Sequence, residues 1–288
     1  MIPTPFDYQA PVTLEEAISL LAGDPDGAKV LAGGHSLIPA MKLRLAQPQL
    51  LVDIARIKSL AYIREEDNQL LIGATTTHYE LESSELLKRV CPLLPACALS
   101  IGDVQVRNKG TIGGSVAHSD PAGDWPAAVL ALDAELLLVG PNGERTVKAA
   151  DFFVDLLTTD LQPGEILREI RIEKPSGRFG QAYQKVPHPA SGFAVVGIAV
   201  DLVLNDDGSC KTARIGVTGV GVKAYRAQGV EAALAGKNLD DQTIKAAAGH
   251  VCVGVDPNSD LYASGEYRCA LAKVHTLRAI QAAKSAVK

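Results

Sequence analysis

Long apolar runs, a leader segment and clustered cysteines are all missing from this chain. No stretch reaches the roughly eighteen consecutive apolar residues that a membrane-spanning helix needs, because Gly, Asp or Pro interrupts each apolar segment. The opening Met1-Ile2-Pro3-Thr4-Pro5-Phe6-Asp7 has no basic region followed by an apolar core, so no secretory leader is expected and a cytoplasmic location is. A charge excess is lacking too: 28 Lys and Arg against 33 Asp and Glu, mixed along the sequence, give a net charge of −5 and no nucleic-acid footprint. Cys91, Cys97, Cys210, Cys252 and Cys269 are odd in number and far apart, with none of the short spacings of zinc or iron–sulfur sites, so small buried hydrophobes are expected. His118, Asp120 and Asp124 lie close in sequence at a spacing that fits no common metal site. The cysteine spacing thus offers this chain no iron–sulfur cluster of its own.

What the sequence does have is two glycine pairs about eighty residues apart: Ala32-Gly33-Gly34-His35-Ser36 and Thr111-Ile112-Gly113-Gly114-Ser115. Each follows an apolar or extended run and is expected to set small residues with free backbone N–H groups at a turn. Glycine tolerates positive φ and lets the main chain approach a ligand closely, and successive N–H groups make an anion-binding concavity. Two such nests suit two linked phosphates. Neither ends in the Gly-Lys-Ser/Thr of a nucleotide-hydrolysing loop, and neither reads G-x-G-x-x-G, which points to FAD. At 288 residues and 47% hydrophobic, the chain is long enough for more than one core.

Residues 1–55 read as a small α/β unit. Thr13-Leu14-Glu15-Glu16 is a capping box that opens a helix through Leu21. Lys29–Ala32 is a short strand, Ser36 caps a helix over Leu37–Leu45, and Leu50–Ile54 is a second strand. This order places the first glycine turn at a helix N-terminus, where the macrodipole adds to anion affinity. Residues 56–176 form a larger unit with strands at Gln69–Ala74, Glu135–Val139 and Ile166–Ile172, helices at Tyr79–Lys88, Pro95–Ile101 and Trp125–Leu132, and an Asn142-Gly143 hairpin turn. It ends at the boundary Glu173-Lys174-Pro175-Ser176-Gly177. In residues 177–288, long antiparallel strands at Phe193–Leu204 and Ala213–Val220 flank the polar turn Asn205-Asp206-Asp207-Gly208. Helices at Gln228–Leu234, Asp241–Val251 and Tyr267–Ala283 follow, so this part is α+β.

At the glycine pairs the sequence resembles a known family. Ala32-Gly33-Gly34-His35-Ser36-Leu37-Ile38-Pro39 and Thr111-Ile112-Gly113-Gly114-Ser115 are similar to the paired FAD signatures of the medium, flavin-binding subunit of molybdenum hydroxylases. That family includes aerobic carbon monoxide dehydrogenase, the type this chain resembles most, and the flavin portion of xanthine dehydrogenase. The resemblance extends over Leu51-Val52-Asp53-Ile54, Asp120-Pro121-Ala122-Gly123-Asp124, Tyr183-Gln184-Lys185 and Ser191-Gly192-Phe193-Ala194, effectively the whole chain. It implies an α+β protein: a two-part FAD-binding domain of the vanillyl-alcohol-oxidase (PCMH) type, then a flavoprotein domain with an antiparallel sheet and helices. It also implies a large molybdenum-cofactor subunit and a small [2Fe–2S] subunit as partners, assembled as a dimer of heterotrimers. Electrons would reach FAD on this chain and leave to a quinone or other acceptor.

Each candidate residue has a plain structural alternative. Gly33, Gly34, Gly113 and Gly114 serve pyrophosphate contact or are tight turns only. Ala32 and Leu37 flank the first turn, and His35 is expected to contribute its backbone N–H rather than its imidazole. Ser36, Thr111 and Ser115 offer hydroxyls to phosphate, although Ser36 also suits an N-cap and Thr111 a strand. The family match gives Asp124 a flavin-side or ribityl hydroxyl, while the local sequence gives it the N-cap ahead of Trp125-Pro126. Lys185 is expected near the flavin pyrimidine, where a positive charge favours the reduced anion; otherwise it is a solvated strand lysine. Phe193 is expected against the isoalloxazine ring or in an ordinary core, and Ile101 is a candidate for packing against FAD. Two rival functions differ in class. Gly219-Val220-Gly221-Val222-Lys223-Ala224 formally matches a nicotinamide-dinucleotide fingerprint with Asp240 downstream. A stand-alone flavoenzyme would need its own substrate base, and none is evident.

Overall fold

A computed structural model describes residues Met1–Lys288. The first part contains β1 (Asp7–Gln9), α1 (Leu14–Gly23), β2 (Ala28–Leu31), α2 (Leu37–Lys42) and β3 (Leu50–Asp53). Thr13 caps α1 by accepting from Glu16 N–H at 3.2 Å, as its spacing dictates. The three strands form a parallel sheet in the order β1-β3-β2, on which α1 lays Leu14, Ala17 and Leu21. The helix expected to reach Leu45 stops at Lys42, since Arg44 adopts φ +61° and turns the chain away.

The second part contains β4 (Ile63–Glu66), β5 (Gln69–Gly73), α3 (His78–Ser83), α4 (Glu85–Val90), α5 (Leu93–Leu99), α6 (Val104–Arg107), α7 (Ile112–His118), α8 (Asp124–Ala131), β6 (Glu135–Gly140), β7 (Gly143–Lys148), α9 (Ala149–Phe152), β8 (Phe153–Asp155), β9 (Thr158–Thr159) and β10 (Ile166–Glu173). Its antiparallel sheet runs β4-β5-β10-β6-β7. The single helix expected over Tyr79–Lys88 is two helices. Ser84, at ψ 113°, leaves helical geometry and caps α4 through Leu87 N–H. Trp125, fully buried, anchors the core between this sheet and its helices.

The third part contains β11 (Arg178–Pro187), β12 (Ala194–Leu204), β13 (Cys210–Thr218), β14 (Tyr225–Arg226), α10 (Gln228–Leu234), α11 (Asp241–Ala248) and α12 (Gly265–Ser285). The antiparallel sheet β11-β12-β13-β14 is covered by helices on both faces, which is why β12 is buried almost throughout. Val196, Ile198, Val200 and Leu202 face the core built with α10–α12, while Ala199 faces the Trp125 core. Small residues on that second face let α8 settle onto the sheet: a Cβ on Gly216 would lie 1.9 Å from the Ala127 carbonyl oxygen. Two mixed α/β parts thus precede a domain with an antiparallel sheet and helices, the architecture the resemblance implied.

The cysteines depart in part from expectation. Cys91, Cys97 and Cys210 are free and buried, and burial pushes the Cys210 thiol up to about 11. Cys252 and Cys269, expected to be separate buried hydrophobes, are joined as a disulfide across 17 residues, with Cα atoms 6.0 Å apart. Sequence separation hid the pairing, because α12 folds back beside the segment after α11. No helix is long and apolar enough to cross a membrane.

Candidate functional site

The two glycine segments meet. The first leaves the end of β2, and the second opens α7. A Cβ on Gly33 would sit 2.3 Å from the Lys109 carbonyl oxygen and 2.7 Å from Gly110 Cα, so only glycine allows the main chains to touch here. One on Gly114 would lie 3.6 Å from the Ala32 methyl. Gly34 has φ +75°, the left-handed region that glycine enters without strain.

The two segments do different work. In the first turn, the N–H groups of Ala32, Gly33, Gly34, His35 and Ser36 have no acceptor within the chain. These successive donors, half-exposed, suit a diphosphate, for which each bond to a charged oxygen is worth about 1.5–3 kcal/mol. The Ser36 side chain makes no capping bond, and α2 spans only six residues, so the anion site expected at this turn would rest on the donors rather than on a macrodipole. This corrects the capping role read for Ser36.

The second segment was expected to offer free N–H groups, and it does not. Ile112 N–H donates to Thr76 O at 3.1 Å, Gly113 N–H to Ala74 O at 2.9 Å and Ser115 N–H to Thr111 O at 3.1 Å. Gly114 N–H donates to the Thr111 hydroxyl at 3.2 Å, making Thr111 the N-cap of α7 rather than a plain strand residue. A Cβ on Gly113 would fall 2.4 Å from the Ala74 methyl. The pair therefore seats α7 against the end of β5, and only the Thr111 N–H lacks a chain acceptor in this stretch. The sequence pattern of the two segments is alike, but a helix starting immediately after Thr111 consumes the second set of donors.

A second group of predicted residues gathers where α8 meets β11. Asp124 does not cap α8; Gly123 holds that position. Its carboxylate instead accepts from Lys185 Nζ at 2.8 Å and from Tyr183 hydroxyl at 2.5 Å, and Lys185 also donates to Ser100 O at 3.0 Å. Both charged side chains are only 6% exposed, so Lys185 is a buried ion-pair partner and not a solvated lysine. Burial pushes the Asp124 carboxyl up, and the Lys185 ammonium and Tyr183 hydroxyl pull it back. Burial and the Asp124 charge keep Tyr183 protonated. Ile101 lies beside Ser100, and the neighbouring Gly102 meets Gly192, whose added Cβ would be 3.9 Å from Gly102 Cα. Phe193 follows Gly192 at the end of the β11–β12 connection and is 44% exposed, outside the core. Lys185 thus reaches the segment just before Ile101 through Ser100, and the Gly102–Gly192 contact brings Phe193 close to that segment.

His78, which sequence reasoning missed, links the two groups. It is buried on the first turn of α3, and its Nδ1 accepts the Trp125 indole N–H at 3.0 Å, next to Asp124. On the other side it lies within electrostatic reach of His35. Burial lowers its pKa to about 4, so it is neutral. Gly110 makes room for it, since a Cβ there would be 2.6 Å from His78 Nε2. Its only signal in sequence was a lone His after a capping-box Thr77, which does not separate it from a core residue.

The rival fingerprint at Gly219–Ala224 holds no dinucleotide geometry. Gly219 N–H donates to Pro121 O at 2.7 Å, its carbonyl receives Arg268 at 2.7 Å, and the Gly221 carbonyl receives Asn258 at 2.8 Å. The run leads into β14 rather than opening a helix, and Asp240 caps α11.

Known proteins resemble this chain along its whole length. Residues 4–175 match the family described as "FAD binding domain in molybdopterin dehydrogenase", and residues 181–283 match the "CO dehydrogenase flavoprotein C-terminal domain". The carbon monoxide dehydrogenase medium chain of Hydrogenophaga pseudoflava is 42% identical over 284 residues, covering 98% of both chains. The glyceraldehyde dehydrogenase medium chain of Sulfolobus acidocaldarius is 37% identical, covering 98% of this chain and 99% of its own. A solved carbon monoxide dehydrogenase from H. pseudoflava, lacking the Mo-pyranopterin moiety of its molybdenum cofactor, superposes with a TM-score of 0.97 at 42% identity over 100% of both chains.

Proposed function

The chain belongs to the FAD-binding medium-chain family of carbon monoxide dehydrogenase-like molybdenum hydroxylases, and on that premise we propose that it is the electron-relay subunit of such a complex. It is a flavoprotein subunit of an oxidoreductase, with FAD as cofactor. In this reading it takes electrons from [2Fe–2S] clusters on a small partner subunit, which draws them from a molybdenum cofactor on a large one. It hands them to an external acceptor such as a quinone. A dimer of heterotrimers, in the cytoplasm, is the assembly that fits. The divisions fall at 55/56 and 176/177, supported by one main sheet in each part.

Bound FAD supplies a centre that accepts electrons singly and releases them in pairs. The chain's own residues hold it. The observation that carries this is the run of acceptor-free N–H groups from Ala32 to Ser36, which we assign to the pyrophosphate together with the Thr111 N–H and the Ser36 and Ser115 hydroxyls. Gly33, Gly113 and Gly114 act through close packing that brings the two segments together, and Leu37 supports the turn. Lys185 keeps a positive charge toward the pyrimidine side, with Asp124 setting its position and lending an oxygen to a ribityl hydroxyl. Ile101 and Phe193 exclude water from the ring.

The test is expression of this chain alone and with its partner subunits. Alone it should bind one FAD non-covalently and hydroxylate nothing; turnover by the isolated chain without molybdenum would overturn the assignment.

A further inference from the structure

The tip that joins β11 to β12 is held by more bonds than a connection needs. His188 N–H donates to Phe193 O at 2.7 Å, and Gly192 N–H donates back to His188 O at 2.8 Å. The His188 Nδ1 accepts from Ala190 N–H at 3.2 Å and from Ser191 N–H at 3.3 Å. The Ser191 hydroxyl accepts from Phe193 N–H at 3.4 Å, and Gly192 reverses the chain at φ +72°. The imidazole thus holds Ala190 and Ser191, while the His188 backbone holds Gly192 and Phe193.

That imidazole is itself clamped. The Tyr262 ring lies 4.4 Å from it, centroid to centroid, tilted by 58°. Tyr262 belongs to the irregular segment between α11 and α12, where Asp260 accepts from Tyr262 N–H and Ala263 N–H, both at 2.8 Å. Asp260 pairs with Arg268 of α12 at 2.5 Å, and Arg268 also donates to Val195 O, at the start of β12, at 2.8 Å. The Cys252–Cys269 disulfide closes the same segment onto α12. The C-terminal helix layer therefore braces both ends of the Phe193 tip.

We propose that His188, seated against Tyr262, is a positioning residue that fixes Phe193 as cover for the flavin ring. This rests on the reading of Phe193 as a ring contact. His188 touches no cofactor in this account; it acts through the turn.

The test uses the full-length, FAD-loaded protein and follows iodide quenching of flavin fluorescence and the two-electron potential. Phe193→Ala should raise the quenching constant. His188→Ala and Tyr262→Ala should move both readouts in the same direction, and Tyr262→Phe, which keeps the ring, should restore them. Because His188 acts through Phe193, His188→Ala/Phe193→Ala should be no worse than Phe193→Ala. In the same His188→Ala protein, the Ala190 and Ser191 amides should exchange about tenfold faster, as loss of their acceptor implies, with β12 unchanged. A His188→Ala protein with parental quenching beside an altered Phe193→Ala overturns this inference alone, as does an additive double variant or unchanged exchange. A parental Phe193→Ala overturns the ring-contact reading and the inference with it.

Discussion

Replacing Lys185 by Met removes one half of a buried ion pair and leaves the other half with little shelter. Asp124 and Lys185 are each about one-sixteenth exposed, with Nζ and Oδ2 2.8 Å apart, so solvent screening does not soften the loss. Breaking such a pair from one side costs about 3–5 kcal/mol, because an uncompensated charge stays in the interior. The carboxylate can escape by taking a proton. Its folded-state pKa is already pushed up by burial, and loss of the ammonium pushes it further. A raised carboxyl pKa means the folded state binds the proton more tightly than the unfolded chain does. The associated stability is complete below the unfolded value and is lost as pH rises through the folded one. The Lys185→Met deficit should therefore be largest near pH 8 and shrink by about 1.4 kcal/mol per pH unit once Asp124 protonates. Adding Asp124→Asn, which keeps an acceptor for Tyr183, should recover about 2 kcal/mol relative to the sum of the single changes. Urea unfolding at pH 8 and pH 6, at one fixed FAD concentration, measures both quantities. Additive single costs with no pH dependence would show that the pair is not a coupled, buried one.

Gly33→Val should abolish flavin absorbance by forcing Lys109 away while the protein stays folded, and full FAD occupancy would refute the close-approach argument; Gly113→Val should lose both FAD and the seating of α7 on Ala74, read together by absorbance and circular dichroism. Lys185→Ala is expected to lower the flavin potential by more than Phe193→Ala, with about 1.4 kcal/mol appearing as about 30 mV in a two-electron redox titration; equal, parental potentials would remove both residues from the ring. His78, held near pKa 4 by burial, favours folding above the ordinary histidine value near 6.5, and this contribution is lost as pH falls from there toward 4, up to about 3 kcal/mol. His78→Asn, which retains an acceptor for Trp125, should flatten that acid-side decline in unfolding titrations; an unchanged profile would place the titrating group elsewhere.

Much of the local structure around the candidate site was legible because glycine and capping residues act locally. Gly34 needs its positive φ, Thr13 caps α1, and the order β2, glycine turn, α2, β3 follows from nearest-neighbour patterning. The second glycine pair misled because its motif resembles the first, while Thr111 caps a helix that uses up the donors. Long-range partnerships carried no local signal. Asp124 reads as a cap in sequence and becomes the counter-ion of a lysine 61 positions away. His78 gains its role only from Trp125, 47 positions on, and the Cys252–Cys269 pairing depends on the path of α12.

Amide hydrogen exchange on the full-length protein, with and without FAD, tests most directly where the diphosphate is held. The N–H groups of Ala32, Gly33, Gly34, His35 and Ser36, which find no acceptor in the chain, should become protected on FAD binding, along with Thr111. Ile112, Gly113, Gly114 and Ser115, already bonded within the chain, should change little. Protection absent from residues 32–36 while FAD remains bound would contradict the account.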